Sequence, residues 1–254
     1  MLFPSAPIAG QLVLITDQLA APADFLLHQI LAVYIKTAAY DGASTRPKAV
    51  VVSVSEPLAR WKAVAARSNL NLTQKIEDQS LVFLDVPPNG PSTLRPLLDR
   101  VRSTVHALRD ACLKPNSASD RPTPNLSPVL VVVDDIAALS WIGHPLSDVA
   151  RFLRALTALC TRESIALVIR HHTVIPDEPS QDDLLRILLQ LSSLHFDVLP
   201  LASGKSGAVA LHAGRSLHPA ASTPPLIPRT RALQYRLTDS GAVFFERGTG
   251  AAVV

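Results

Sequence analysis

The side chains best placed for chemistry in this 254-residue chain are acids that close apolar runs. Val129 to Val133 is followed at once by Asp134 and Asp135. An aspartate there can hold Mg²⁺ beside a transferring phosphate, and the same residue type also serves simply to cap the turn after a parallel strand. Glu56 closes a second run, Ala49 to Val54 and the serine after it. His171 and His172 are neighbours and so point to opposite faces of a strand, with no cysteine or third histidine near in sequence. The eight histidines therefore define no metal site. The chain has no GxSxG elbow, no HExxH and no GxGxxG, which removes the support for a serine hydrolase, a zinc peptidase or a dehydrogenase.

If Asp134 served a nucleotide, the phosphates would sit in the first strand-to-helix loop, Thr16 to Asp24 (TDQLAAPAD). A phosphate loop needs glycines so that the backbone can approach, a lysine for the outer phosphates and a hydroxyl for the metal. This loop has no glycine and no lysine, and it places Pro22 where an N–H is wanted. Asp24 falls in the first turn of the following helix, where a carboxylate neutralises the positive helix end and repels an incoming phosphate. The expectation is an anion site filled from within by Asp24. Gly204-Lys205-Ser206 imitates part of a phosphate loop, but Leu199 stands where the leading glycine belongs, and the segment joins two strands.

These loops need elements to hold them. Gln11 to Thr16, Ala49 to Val54, Leu81 to Val86, Val129 to Val133 and Ile165 to Arg170 read as buried strands. Between them run helices: one opened by Pro22 and Asp24, one striped by Leu58, Trp61, Val64 and Ala65, one from Leu94 to Cys112, one capped by Ser147, and a Leu-rich one from Leu184 to Leu194. After Phe196 the pattern changes to strands alone: Phe196 to Leu201, Ala208 to His212, Leu233 to Thr238 and Ala242 to Glu246, the last pair turning at Asp239-Ser240-Gly241. Two proline-rich stretches, 115–128 and 218–228, read as loops. The expectation is one α/β domain over residues 1–254: a mostly parallel central sheet between helix layers, extended by a C-terminal antiparallel hairpin.

Composition agrees with a packed interior. Hydrophobic residues make up 48%, charged residues 18%, and the mean hydropathy is +0.24. No run approaches the roughly 20 apolar residues of a membrane span. The N-terminus lacks the features of a secretory signal, and two cysteines without a pairing framework suit a reducing compartment. An intracellular, membrane-free protein is expected. The net charge is only +3, but Lys205, Arg215, Arg229, Arg231, Arg236 and Arg247 face only Asp239 and Glu246 after residue 202. That basic end could meet a phosphate backbone. Arginine-rich, alanine-rich composition from a GC-rich genome would leave the same signature.

Four segments, in order and at compatible spacing, carry a resemblance: QLVLITDQLAAPADFLLHQILAVYIK, LVFLDV, PVLVVVDDIAAL and LQYRLTDSGAVFFERG. Together they resemble the Elongator complex protein 6 family, RecA-like proteins that lack the phosphate loop. The resemblance implies a non-catalytic, pseudo-ATPase subunit of a heterohexameric ring that alternates with two other RecA-like Elongator subunits. It implies that the ring docks on the catalytic Elongator subcomplex and binds tRNA during modification of the wobble uridine at carbon-5. It implies no cofactor bound by this chain alone, with ATP at ring interfaces, and residence in the cytoplasm and also the nucleus. Asp134 and Asp135 then stand as a Walker B remnant, and Glu56 where RecA-type enzymes orient water, although the family pattern does not require that glutamate. Pore-lining loops of such rings would present Arg170, His171, His172, Arg229 and Arg231 to RNA, unless these are solvated loop cations. The alternative is a stand-alone RecA-type ATPase with a degenerate phosphate loop that uses Asp134 and Glu56.

Overall fold

The computed structural model describes residues 9–37, 47–87, 93–110, 128–173, 179–201, 206–217, 224–238 and 241–246. Cys112, most of the two proline-rich stretches, Gly204 and Lys205 lie outside them.

Nine strands form one sheet: β1 (Leu12–Asp17), β2 (Lys48–Ser53), β3 (Leu81–Asp85), β4 (Val129–Asp134), β5 (Ala166–His172), β6 (Leu194–Pro200), β7 (Ser206–Ala213), β8 (Leu233–Thr238) and β9 (Gly241–Phe245). Their spatial order is β3-β2-β4-β5-β1-β6-β7-β8-β9. The first six are parallel, and β6 to β9 pair antiparallel. β1, β2 and β4 are buried along their whole length, as a parallel sheet covered on both faces requires.

Strand alternation divides the core in two. Val13, Ile15, Val51, Val132 and Val168 face α1 (Asp24–Thr37), α2 (Leu58–Arg67) and α3 (Leu72–Glu77). Leu12, Leu14, Val50, Val131 and Leu167 face α4 (Arg95–Asp110), α5 (Ile136–Trp141), α6 (Leu146–Arg162) and α7 (Pro179–Leu191). Tyr235 of β8 and Phe244 of β9 close the first layer against Phe25, with ring centroids 4.6 Å apart for Phe25 and Tyr235. Leu237, on the same side of β8 as Tyr235, has run past the core and is exposed.

Several local expectations need correction. Ser147 caps nothing: α6 begins at Leu146 behind Pro145, with no side-chain cap. The Leu-rich helix stops at Leu191, and Leu194 already belongs to β6, because Ser193 donates its backbone N–H to Leu12 O at the start of β1. Two short helices carry too little periodicity to read in advance. α3 is capped by Asn71, which accepts from Gln74 N, and α5 by Asp135, which accepts from Ala137 N.

Candidate functional site

The strand order reverses beside β1, so the carboxyl ends of β1, β4 and β5 frame the crevice where open α/β sheets bind ligands. Acids and cations of this crevice come from five elements. Asp17 ends β1, Asp134 ends β4, Arg170 and His172 lie at the end of β5, Asp24 opens α1, and Arg60 rises from α2.

Asp17 is fully buried, and a buried carboxylate must be partnered. Its Oδ2 accepts the backbone N–H of Ala23 at 2.6 Å, and its Oδ1 lies 2.9 Å from His172 Nδ1. The amide a phosphate would want is thereby taken. The carboxylate that takes it is Asp17, which corrects the assignment to Asp24. The reason is reach: Asp17 lies under the loop, while Asp24 points across to the Arg170 guanidinium, with Arg60 3.6 Å away on its other side.

Arg170 is the central cation, only 6% exposed. Besides Asp24 it meets Asp17 at 3.8 Å and Asp134 at 2.8 Å. The last contact is an ion pair without hydrogen-bond alignment, since neither Arg170 Nε nor Asp134 Oδ1 has a hydrogen-bond partner among the described residues. Burial lowers the Arg170 pKa. Burial, and then the charges of Asp135, Glu56 and Asp17, push the Asp134 carboxyl well above the usual carboxylate range. Burial raises Asp135 to about 7, against the N–H groups of Ala137 and His172 that favour its charge. Glu56 pairs with Arg60 at 3.0 Å. The two acids expected to serve a nucleotide thus stand beside arginines of the same chain.

The sequence-expected RNA contacts separate. Arg170 and His171 are interior, His171 at 1% exposure and with burial lowering its pKa to about 4. The fold gives both an internal place, because side chains at the end of a fully covered strand enter the two core layers. His172 is partly exposed, and its bond to Asp17 raises its pKa. Arg229 and Arg231 flank an exposed 3₁₀ turn, with Arg229 Nε 2.6 Å from Asp197 Oδ2. These two belong to the turn before β8 and Arg170 to β5, so the expected contacts sit on different elements. Sequence reasoning missed Asp17 and Arg60. Asp17 did carry a signal, being the acid that ends an apolar strand as Asp134 does.

No group of three or more potential metal ligands occurs among the described residues. Among them, no helix is long and apolar enough to cross a membrane.

The fold is similar to that of a KaiC-like protein from Pyrococcus horikoshii OT3, with a TM-score of 0.61 at 11% identity over 93% of this chain and 90% of that one. The architecture is RecA-like. Elongator complex protein 6 from Rattus norvegicus is 25% identical over 264 residues, and that from Danio rerio 23% over 258, each alignment covering 96% of this chain and 93% of the relative. The family model of Elongation complex protein 6 matches residues 2–239, nearly the whole length, and the chain belongs to that family.

Proposed function

We propose that this chain is a non-catalytic RecA-like subunit of the Elongator accessory heterohexameric ring and supports tRNA wobble-uridine modification at carbon-5. It contributes ring assembly and tRNA contact, beside two other RecA-like Elongator subunits and the catalytic subcomplex, in the cytoplasm and also the nucleus. The observation that carries the reading is the Ala23 N–H bound at 2.6 Å by Asp17. A backbone amide of the would-be cradle is consumed by the chain itself, and a neighbouring carboxylate repels triphosphate. This chain is a pseudo-ATPase, binds no cofactor alone, and leaves any ATP to ring interfaces. His172, Arg229 and Arg231 are the partly or fully exposed groups for tRNA contact.

The test is the mass of the complex formed with the two candidate RecA-like partners, with and without tRNA, together with ATP turnover by the isolated chain. A heterohexamer and no turnover is expected. Turnover abolished by Asp134→Ala would establish the stand-alone ATPase instead.

A further inference from the structure

The outer surface of the second helix layer carries a feature that ring membership leaves unassigned. Of the seven arginines in α4 and α6, Arg109 is buried against Glu163 at the end of α6, and the other six stand beside the three aspartates Asp99, Asp110 and Asp148, in a chain whose whole balance is +3. Between their first turns opens a cavity of about 350 Å³. Leu94, Leu98, Phe152 and Ala155 form its floor. Arg95 and Arg151 stand on its rim, with side chains 76% and 78% exposed.

Among the described residues the rim arginines are held by Asp99 and Asp148 of their own helices, at 3.1 Å each. Such solvent-screened pairs exchange readily for another carboxylate. Arg95 opens α4, and no acid stands in that turn, a charge order that does nothing for the helix itself. Among the described residues Arg100 and Arg154, on the same two helices, are exposed and have no ion pair. An apolar hollow whose rim carries Arg95 and Arg151 beside the single acid Asp148, with Arg100 and Arg154 on the same helices, matches one kind of occupant. We propose that the α4–α6 groove docks an acidic protein segment that inserts one leucine or phenylalanine side chain into the cavity. RNA fits it less well, since the floor is aliphatic apart from Phe152 and offers little for base stacking.

The test uses the full chain and fluorescent acidic peptides with Leu, Phe or Gly at the centre, alongside a fluorescent oligouridylate. The Leu and Phe peptides are expected to bind more tightly than about 1 mM, and the Gly peptide more weakly. Arg95→Glu with Arg151→Glu should weaken binding by about tenfold or more and flatten its salt dependence. Ala155→Leu, which fills the hollow and leaves every charge in place, should weaken the Leu and Phe peptides at unchanged salt dependence. Thermal unfolding of each variant, matched to the parent chain, shows that the fold is intact. The proposal is overturned if no peptide binds, if the Gly peptide binds equally, if Ala155→Leu changes nothing, or if the arginine variants lose oligouridylate and keep peptide.

Discussion

Asp17 and His172 end adjacent parallel strands in register, and their side chains meet at 2.9 Å between Oδ1 and Nδ1. The bond to Asp17 raises the His172 pKa. A raised imidazole pKa stabilises the fold fully below the unfolded value near 6.5, and that contribution is lost as pH rises through the folded value. Asp17→Asn should therefore lower the His172 titration midpoint, read by proton NMR, and remove this part of the pH dependence. An unmoved midpoint would show that the pair carries no charge coupling.

Arg170 compensates Asp17, Asp24 and Asp134 at once. Arg170→Met should cost about 3–5 kcal/mol, because it leaves buried carboxylates without a counter-charge. Arg170→Met with Asp134→Leu should recover only a small part of that loss, since Asp17 and Asp24 keep their charges and still lack Arg170, while the Asp134 carboxyl is already pushed toward its neutral form. Urea unfolding of the parent chain, the single and the double variants measures both.

His28 sits against Trp61, with ring centroids 4.4 Å apart, and its Nδ1 has no hydrogen-bond partner among the described residues. Burial, and then the charge of Arg60, lower its pKa to about 4. Between that value and 6.5 the unfolded chain binds the proton and the folded chain does not, so this group's contribution to stability rises with pH across that window. His28→Phe removes the effect. Its stability relative to the parent should be about 2 kcal/mol more favourable at pH 5 than at pH 7.5.

The C-terminal hairpin is held by Tyr235. Gly207 lies opposite it in register, and a Cβ there would come within 2.5 Å of the Tyr235 ring. Gly207→Ala should displace that ring and speed amide exchange in β8 and β9 while leaving β1, β4 and β5 protected. Tyr235→Ala should cost about 3–5 kcal/mol by removing a large buried side chain. Equal exchange across all nine strands in Gly207→Ala would refute this local role.

The sequence by itself determined the strands, the longer helices and the missing cradle. Apolar runs of Val and Leu ending in Asp mark β1 and β4 because a covered parallel strand has no solvent face to alternate with. The loop from Thr16 to Asp24 announces its incapacity through the absence of glycine and lysine, which no folding can restore. The hairpin of β8 and β9 is legible from a turn signal and local alternation. Tertiary structure decided which charges meet. Asp17, Asp24, Asp134 and Arg170 lie up to 153 residues apart, and nothing local says that β5 will come to lie between β4 and β1. That neighbour order converts Arg170 from an expected RNA contact into a buried counter-ion. It also sets His172 against Asp17 and Arg170 against Asp24, whereas the bond from Ala23 N–H to Asp17 is made within the loop itself.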